Sequence, residues 1–414
     1  MKRPKRRGNR RWGELMKSRT RARRLLVALI DHHVSIRLPP MRLLARRFSS
    51  SPPPAPPVLD LHAPRHALVA AVADACSRWG FFQVVHHGVD VNAYHKPMAD
   101  FFRLPHNAKA ALRRTAGNAR GFFDDELTKQ KVDWKQAIDV GMPGSRAWAL
   151  PDDDPSNACL DGFNRLPSDA LLPGFREATV RYYESLTSLA ARVASLMAEG
   201  LGMPADHFDR ELREAHTSYL RLNYYPPHPG GDGALGISPH RDAGFLTVLW
   251  QDPSCHSLQV QQPAETGSSR RYDGSGGEWT TVVPAEGALT INTGDMAQIW
   301  SNDRYQAPLH RVLTHPTLER FSAPFFYNPG YRTQVAPLPS PGRPKFLPCN
   351  WGYFRAQRFA GDFADFGAEI QTDDFYEGSK SHHPQMQEEF LRTVDFSTPF
   401  SVEKYRPLLQ MPRK

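Results

Sequence analysis

The sequence predicts an α+β protein with a mainly β core, a double-stranded β-helix or jelly roll, behind a largely helical N-terminal region and ahead of a C-terminal extension. Three observations carry this. Up to about residue 215 the clearest apolar patterns have helical spacing, as in Ala67–Trp79 and Phe175–Gly200. From Thr217 onward the pattern alternates in short segments. Gly, Pro and Asn-Asp turns separate those segments, which is how a double-sheet barrel is written in sequence.

Taken in order, residues 1–54 form a basic arm, 55–215 the helical region, 216–335 the jelly roll and 336–414 the extension. The arm holds 16 Lys and Arg against Glu14 and Asp31, while the rest of the chain holds 36 basic and 41 acidic residues. The net charge of +9 therefore belongs to the arm, and the folded body offers no basic surface for nucleic acid. Met41 opens a stretch with Arg, Ser and Leu but no acid, MRLLARRFSS, which has the composition of a transit peptide. We expect Met41 to be the biological start and the destination to be an organelle, mitochondrion or plastid, if that presequence acts; otherwise the cytoplasm is expected. The longest apolar run, Leu25–Ile30, is too short for a membrane span. Cys76, Cys159, Cys255 and Cys349 are scattered without a Cys-x-x-Cys pair, which excludes a zinc-finger spacing and a disulfide framework.

Pro52–Pro57 is a stiff linker. Val58–Leu61 reads as a strand, Ala67–Trp79 as a helix stopped by Gly80, and Phe81–Val85 as a second strand. His86 and His87 are adjacent, so in a strand they face opposite ways and cannot share one ion. Helices are expected at His95–Phe102 and Asn107–Arg114, loop and strand over Arg120–Gly141, a turn at Asp152–Asp154, and one long helix over Phe175–Gly200 closed by its glycine. The expected barrel strands are Ser218–Tyr225, Phe245–Gln251, Leu258–Gln261, Trp279–Val283, Ala288–Asn292, Met296–Trp300, Leu309–His315 and Phe321–Tyr327. The extension shows helical spacing only around Met386–Val394.

The chemistry starts at Ser238–Asp252, SPHRDAGFLTVLWQD. His240 and Asp242 stand two apart, so on a strand they share a face and Arg241 takes the other, where it is not expected to act as ligand or clamp. A third ligand must come from elsewhere. The histidines beyond Asp242 are His256, His310, His315, His382 and His383; His310, in the β-like QAPLHRVLTH, is the best placed to return across a sandwich. Two His and one carboxylate with open positions suit a non-haem Fe(II) oxygenase, though the same donors hold catalytic zinc. Arg320 and Ser322, two apart in ERFSAPFFYNP, form a clamp for a carboxylate and favour iron with an acid cosubstrate. In YLRLNYYPP the alternating set Tyr219, Arg221, Asn223 and Tyr225 is polar, as expected of a strand whose inner face lines a site, and we place Arg221 in the substrate pocket. A kinase catalytic loop at His240–Asp242 is excluded, since it needs Asn where Thr247 stands.

These pieces, with RWGFFQVVHHGV (78–89) and INTGDMAQIWSNDRYQAPLHRV (291–312), resemble the plant-type 2-oxoglutarate- and Fe(II)-dependent dioxygenases that include flavonol synthase and anthocyanidin synthase. The resemblance covers about Pro57 to Gly367. It implies that His240, Asp242 and His310 bind Fe2+, and that Arg320 and Ser322, with Tyr225 and Asn223, bind 2-oxoglutarate. It further implies that Phe122 and Phe326 line the substrate pocket, with Phe122 lacking the hydroxyl of the Tyr that relatives carry there. The implied reaction consumes O2, with ascorbate as reductant, converts 2-oxoglutarate to succinate and CO2, and by default hydroxylates a small hydrophobic or aromatic metabolite. The expected partner is a small molecule, with no nucleic acid and no membrane span, and the protein is expected to be a monomer. Two rivals share the pattern: a sister oxidase of the isopenicillin N synthase or aminocyclopropane-carboxylate oxidase type, which spends Arg-x-Ser on its own substrate, and a jelly-roll binding protein with a retired site.

Overall fold

The computed structural model describes residues 55–414, apart from 116–117, 129–130, 144–161, 214–215, 230–234, 263–277, 341, 363–369, 378–399, 402 and 404–414. The arm with its transit-peptide stretch, the Asp152–Asp154 turn, Cys159, His382, His383 and the Met386–Val394 segment lie outside the described residues. Among the described residues no helix is long and apolar enough to cross a membrane.

In chain order the elements begin with β1 (Val58–Asp60), α1 (Arg65–Arg78), β2 (Phe81–Val85), α2 (Asn92–Arg103) and α3 (His106–Ala110). Then come β3 (Gly121–Phe123), the short hairpin β4 (Leu127–Thr128) and β5 (Lys131–Val132), β6 (Gln136–Gly141), α4 (Phe175–Gly200) and α5 (Asp209–Leu212). The barrel strands are β7 (Tyr219–Tyr225), β8 (Leu235–His240), β9 (Leu246–Gln251), β10 (Leu258–Gln261), β11 (Trp279–Thr281) and β12 (Leu289–Thr293). The chain continues with α6 (Asp295–Trp300), β13 (His310–Leu313), β14 (Arg320–Tyr327), β15 (Gln334–Val335), β16 (Cys349–Asn350) and α7 (Trp351–Asp362).

Two sheets make the jelly roll. The larger has eight strands in the order β1-β2-β12-β9-β14-β7-β6-β3, and the smaller has four, β11-β10-β13-β8. The expected helical region thus gives four strands to the large sheet, two at each edge. Its strands are short, three to six residues, so their period-2 signal is weak beside that of the helices between them. One contiguous core runs between the large sheet and helices α1, α2 and α4. Helix α4 buries Phe175, Tyr182, Leu186, Leu189, Val193 and Met197 on one face, the amphipathic stripe seen in its sequence. Its terminator is Gly202, at φ +80, rather than Gly200. Gly200 serves a different end: a Cβ there would lie 2.8 Å from Ala73 Cβ and 2.5 Å from the Tyr305 hydroxyl, so its absence lets α4 pass α1 closely.

Two expectations change. Met296–Trp300 is helical, not a strand. All six residues of α6 are buried, so no polar face marks its period, and its first N–H groups are donated to the β8–β9 loop: Asp295 to Asp242 O (2.8 Å) and Met296 to Gly244 O (3.0 Å). In turn, Leu235–His240 is a strand, β8, paired with β13 and irregular in register. His240 ends it, so Asp242 belongs to the β8–β9 loop, not to the same strand face.

Candidate active site

The His240 and His310 rings come from neighbouring strands of the small sheet, paired directly opposite each other. Their centroids are 4.3 Å apart with planes tilted by 54°. Each Nδ1 is held by a backbone carbonyl two residues earlier, His240 by Ser238 O (2.9 Å) and His310 by Pro308 O (3.0 Å). Donating that hydrogen leaves Nε2 as a lone pair, and both Nε2 atoms lie 3.7 Å from Asp242 Oδ1. The other carboxylate oxygen, Oδ2, accepts from Thr247 Oγ1 (2.5 Å) and Asn292 Nδ2 (2.7 Å). Thr247 and Asn292 are themselves cross-strand partners on β9 and β12. The large sheet therefore aims Asp242 at a histidine pair standing on the small one. Gly294 allows this: a Cβ there would lie 2.3 Å from Gly244 O and 2.8 Å from Asp242 O.

The electrostatics agree with a cation site. Burial and the adjoining His310 push the His240 imidazole down to about 3, which keeps it neutral at neutral pH. Burial pushes the Asp242 carboxyl up, but His310, His240 and its two hydrogen-bond donors outweigh that and hold it below its ordinary value. The three donor atoms lie within 4.8 Å of one another. A second His-His-Asp group, Asp60, His62 and His86, also does. It differs in geometry. The His62 and His86 rings stack at 3°, so their lone pairs run side by side instead of converging, and Asp60 Oδ1 is taken by His62 N (2.9 Å) and His86 Nδ1 (2.7 Å).

The clamp stands on the large sheet. Arg320 and Ser322 share a face of β14, opposite Tyr225 and Asn223 on β7. Arg320 is 2% exposed, and its Nε and Nη1 have no partner in the protein. Its guanidinium lies 5.0 Å over the Tyr225 ring. Asn223 Nδ2 donates to Ser322 Oγ (3.3 Å), which leaves the serine hydroxyl hydrogen for an outside acceptor, and Asn223 Oδ1 is unpartnered too. A buried guanidinium with idle donors calls for a fixed anion. The apolar cluster around Tyr225 (Trp79, Phe81, Leu249, Leu258, Val312) keeps that end dry.

One cavity of about 140 Å³ joins metal triad, clamp and a further chamber. Of the other expected pocket residues, Phe326 and Arg221 line it. Phe326 stacks on Tyr219 at 4.7 Å. Arg221 lines the cavity but is spent on ion pairs, with Asp139 (2.7 and 2.9 Å) and Glu126 (3.1 Å). Phe122 is not among the lining residues: it is fully buried on the helix side of β3, edge-on to Phe101 at 6.5 Å. On a three-residue strand a one-place error in register exchanges the two faces, and it is the neighbouring Phe123 that lies under Arg221, at 4.9 Å.

The sequence reading missed several residues that shape this site. Thr247 and Asn292 carry no signal of their own until the β9–β12 register is known. Lys135 and Glu126, flanking the β4–β5 hairpin, form part of the chamber wall. The C-terminal extension supplies Trp351, Arg358 and Phe359. Arg358 pairs with Asp295 at 2.5 Å, which ties α7 to the helix that supports the Asp242 loop. Arg241, off the metal as expected, reaches Asp373 at 3.4 Å and walls the chamber.

Comparison with known proteins agrees with this geometry. The 2OG-Fe(II) oxygenase superfamily profile matches residues 216–329, and one described as non-haem dioxygenase in morphine synthesis N-terminal matches 56–169. Jasmonate-induced oxygenase 2 of Arabidopsis thaliana is 34% identical over 278 residues, 66% of this chain and 67% of that protein. Oxoglutarate-dependent flavonoid 7-O-demethylase 1 of Ocimum basilicum is 32% identical over 298 residues, 69% of this chain and 71% of that protein. A crystal structure of JOX2 in complex with 2OG, Fe and JA matches with a TM-score of 0.60 and 31% identity, covering 75% of this chain and 90% of that one.

Proposed function

We propose how this chain, which belongs to the plant-type 2-oxoglutarate- and Fe(II)-dependent dioxygenases, divides the work of its reaction among its residues. It is an oxidoreductase that uses Fe2+ and 2-oxoglutarate on a small metabolite. The relatives that use 2-oxoglutarate favour this reading over an oxidase that dispenses with it.

Iron with 2-oxoglutarate supplies the oxidation: O2 is consumed, 2-oxoglutarate goes to succinate and CO2, and one oxygen atom is left for the substrate. His240, Asp242 and His310 would hold the metal, two neutral Nε2 donors and one carboxylate oxygen. Thr247 and Asn292 keep Asp242 turned toward it through Oδ2. Arg320 would take the distal carboxylate of 2-oxoglutarate on its guanidinium, with the Ser322 hydroxyl beside it, Asn223 holding that hydroxyl and Tyr225 backing the guanidinium. Tyr219, Phe326, Trp351 and Phe359 exclude water from the chamber and favour a hydrophobic, aromatic-sized substrate, hydroxylated by default. Ascorbate is the reductant we assign for keeping the metal ferrous.

The observation that carries these roles is the buried Arg320 guanidinium, its Nε and Nη1 without partners, in the same cavity as the convergent triad. Anaerobic addition of Fe(II) and 2-oxoglutarate should produce a weak visible charge-transfer band, and admitting air without substrate should release succinate slowly. Iron binding with neither band nor succinate would sink the reading and favour the oxidase that spends its Arg-x-Ser pair on substrate.

A further inference from the structure

Away from the clamp and the metal triad, the polar side chains lining the cavity are engaged within the protein, with one exception among the described residues. Lys135 and Arg221 share Glu126, Arg241 holds Asp373, and Arg358 holds Asp295. Trp351 donates its indole N–H to Thr217 Oγ1 (2.8 Å). The Asn328 amide donates to Thr217 O (3.4 Å), and its Oδ1 lies 1.9 Å from where a Cβ on Gly244 would stand, turned onto the loop that carries Asp242. The exception is Tyr219. It lines the cavity and is 6% exposed, yet its hydroxyl has no hydrogen-bond partner among the described residues. A buried phenol ordinarily finds one.

The sheet register fixes where that hydroxyl stands. Tyr219 on β7 is directly opposite Phe326 on β14, which is directly opposite Thr247 on β9, and all three line the cavity. Thr247 is the residue that holds Asp242. With neighbouring strands about 4.8 Å apart, Tyr219 stands ~10 Å across the sheet from Thr247. A skeleton of two fused rings spans that interval from the metal side to Tyr219. The Tyr219 ring is held from both sides. Phe326 stacks on it at 4.7 Å from the β14 side. On the β6 side Gly141 is its partner, and Arg120 Nε lies 3.0 Å from where a Cβ of Gly141 would stand. The guanidinium admitted there lies 4.7 Å over the Tyr219 ring, and Phe359 meets the ring edge-on at 6.1 Å. Burial pushes the phenol up, and although Arg221, Arg120 and Arg355 pull the other way, it stays protonated. A guanidinium over the ring draws on its electron density, which makes the O–H a better donor than acceptor.

We propose that Tyr219 is a specificity-determining residue whose hydroxyl donates to an oxygen acceptor of the carbonyl type on a two-ring aromatic substrate. This rests on the reading of the site as a 2-oxoglutarate dioxygenase. The test is calorimetric titration of the anaerobic Fe(II)–2-oxoglutarate protein, wild type and Tyr219→Phe, with 2-acetylnaphthalene and 2-ethylnaphthalene, which match in shape and differ in the carbonyl oxygen. Tyr219→Phe should weaken binding of the ketone about two- to tenfold, the range of one neutral hydrogen bond, and leave the hydrocarbon unmoved. The variant removes one oxygen that makes no hydrogen bond among the described residues and keeps the ring, so its Tm should match that of the wild type. A loss no greater for the ketone than for the hydrocarbon, or no binding of either by the wild type, overturns the inference. So does a Tm lowered by more than about 3 °C, which would reveal a partner for the hydroxyl within the protein. Succinate release from 2-oxoglutarate alone is measured on the same preparation. Its absence beside a selective loss of ketone binding fails the dioxygenase reading and leaves Tyr219 its role in binding; its presence without that selective loss fails Tyr219 alone.

Discussion

Replacing Arg320 with Met should move ligand affinity and ligand-free stability in different directions. Arg320 is buried, with Nε and Nη1 lacking protein partners, and among the described residues it pairs with no carboxylate. Its loss would remove two charge-assisted contacts to 2-oxoglutarate. At the low end for such contacts this is about 3 kcal/mol, or ~100-fold in Kd. The ligand-free protein responds otherwise. It loses a cation–π contact with Tyr225, worth about 1 kcal/mol, and is relieved of a buried unpaired charge whose desolvation costs at least as much. Its Tm should therefore hold or rise. Anaerobic titration of the Fe(II) charge-transfer band measures the first quantity, and thermal melting of the ligand-free protein the second. An affinity within about threefold of wild type, or a Tm lowered by more than about 5 °C, the equivalent of ~2 kcal/mol in a chain this size, would refute the assignment of Arg320 as a clamp waiting for its anion.

Asn292→Ala and Thr247→Ala each remove a donor from Asp242 Oδ2; metal affinity, read with Mn(II) or Co(II), should fall 10- to 100-fold by the usual cost of losing a partner of a metal ligand, and an unchanged affinity would mean Asp242 is oriented by other means. Arg358→Met leaves Asp295 buried without its cation, so unfolding free energy should drop by roughly 3–5 kcal/mol, and a loss below about 1 kcal/mol in a denaturant titration would contradict the pairing. Burial pushes the Glu126 carboxyl up, yet Arg221 and Lys135 pull it down from 4.5 to about 2. A carboxyl lowered on folding contributes stability that is complete above its unfolded value and is lost as pH falls toward its folded one, so roughly 3 kcal/mol should disappear between about pH 4.5 and 2, a loss that Glu126→Gln should lack. Sequencing the N-terminus of the mature native protein should find a start within or beyond the MRLLARRFSS stretch; one upstream of Met41 would contradict the transit-peptide reading.

Local pattern was enough to read the chemistry here. The strand bearing Arg320 and Ser322, the polar alternation from Tyr219 to Tyr225 and the long helix at Phe175–Gly200 all depend on residues close in sequence, whose period fixes a shared face. The His-x-Asp pair and His310 were legible for another reason: a metal needs particular donor types, and few candidates existed. The mechanism assumed for the pair was incomplete, since Asp242 turns toward His240 from a loop held by Thr247, Asn292 and the N–H of Asp295.

What only the tertiary structure decided concerns pairing between distant segments. Phe122 and Phe123 trade faces on a strand too short to declare its register. Helix α6 is buried on every side and so shows no polar face to mark its period. The pattern of its strand places Arg221 in the pocket, whereas Lys135, Arg241 and Arg358 look like solvated surface charge in sequence; their partners Glu126, Asp373 and Asp295 stand 9, 132 and 63 residues away. By itself the sequence determined which chemistry the protein can hold, because that is set by residue types and short spacings. The polarity of the chamber follows from which charges the fold buries together, since a cation's effect on its surroundings depends on the anion already beside it.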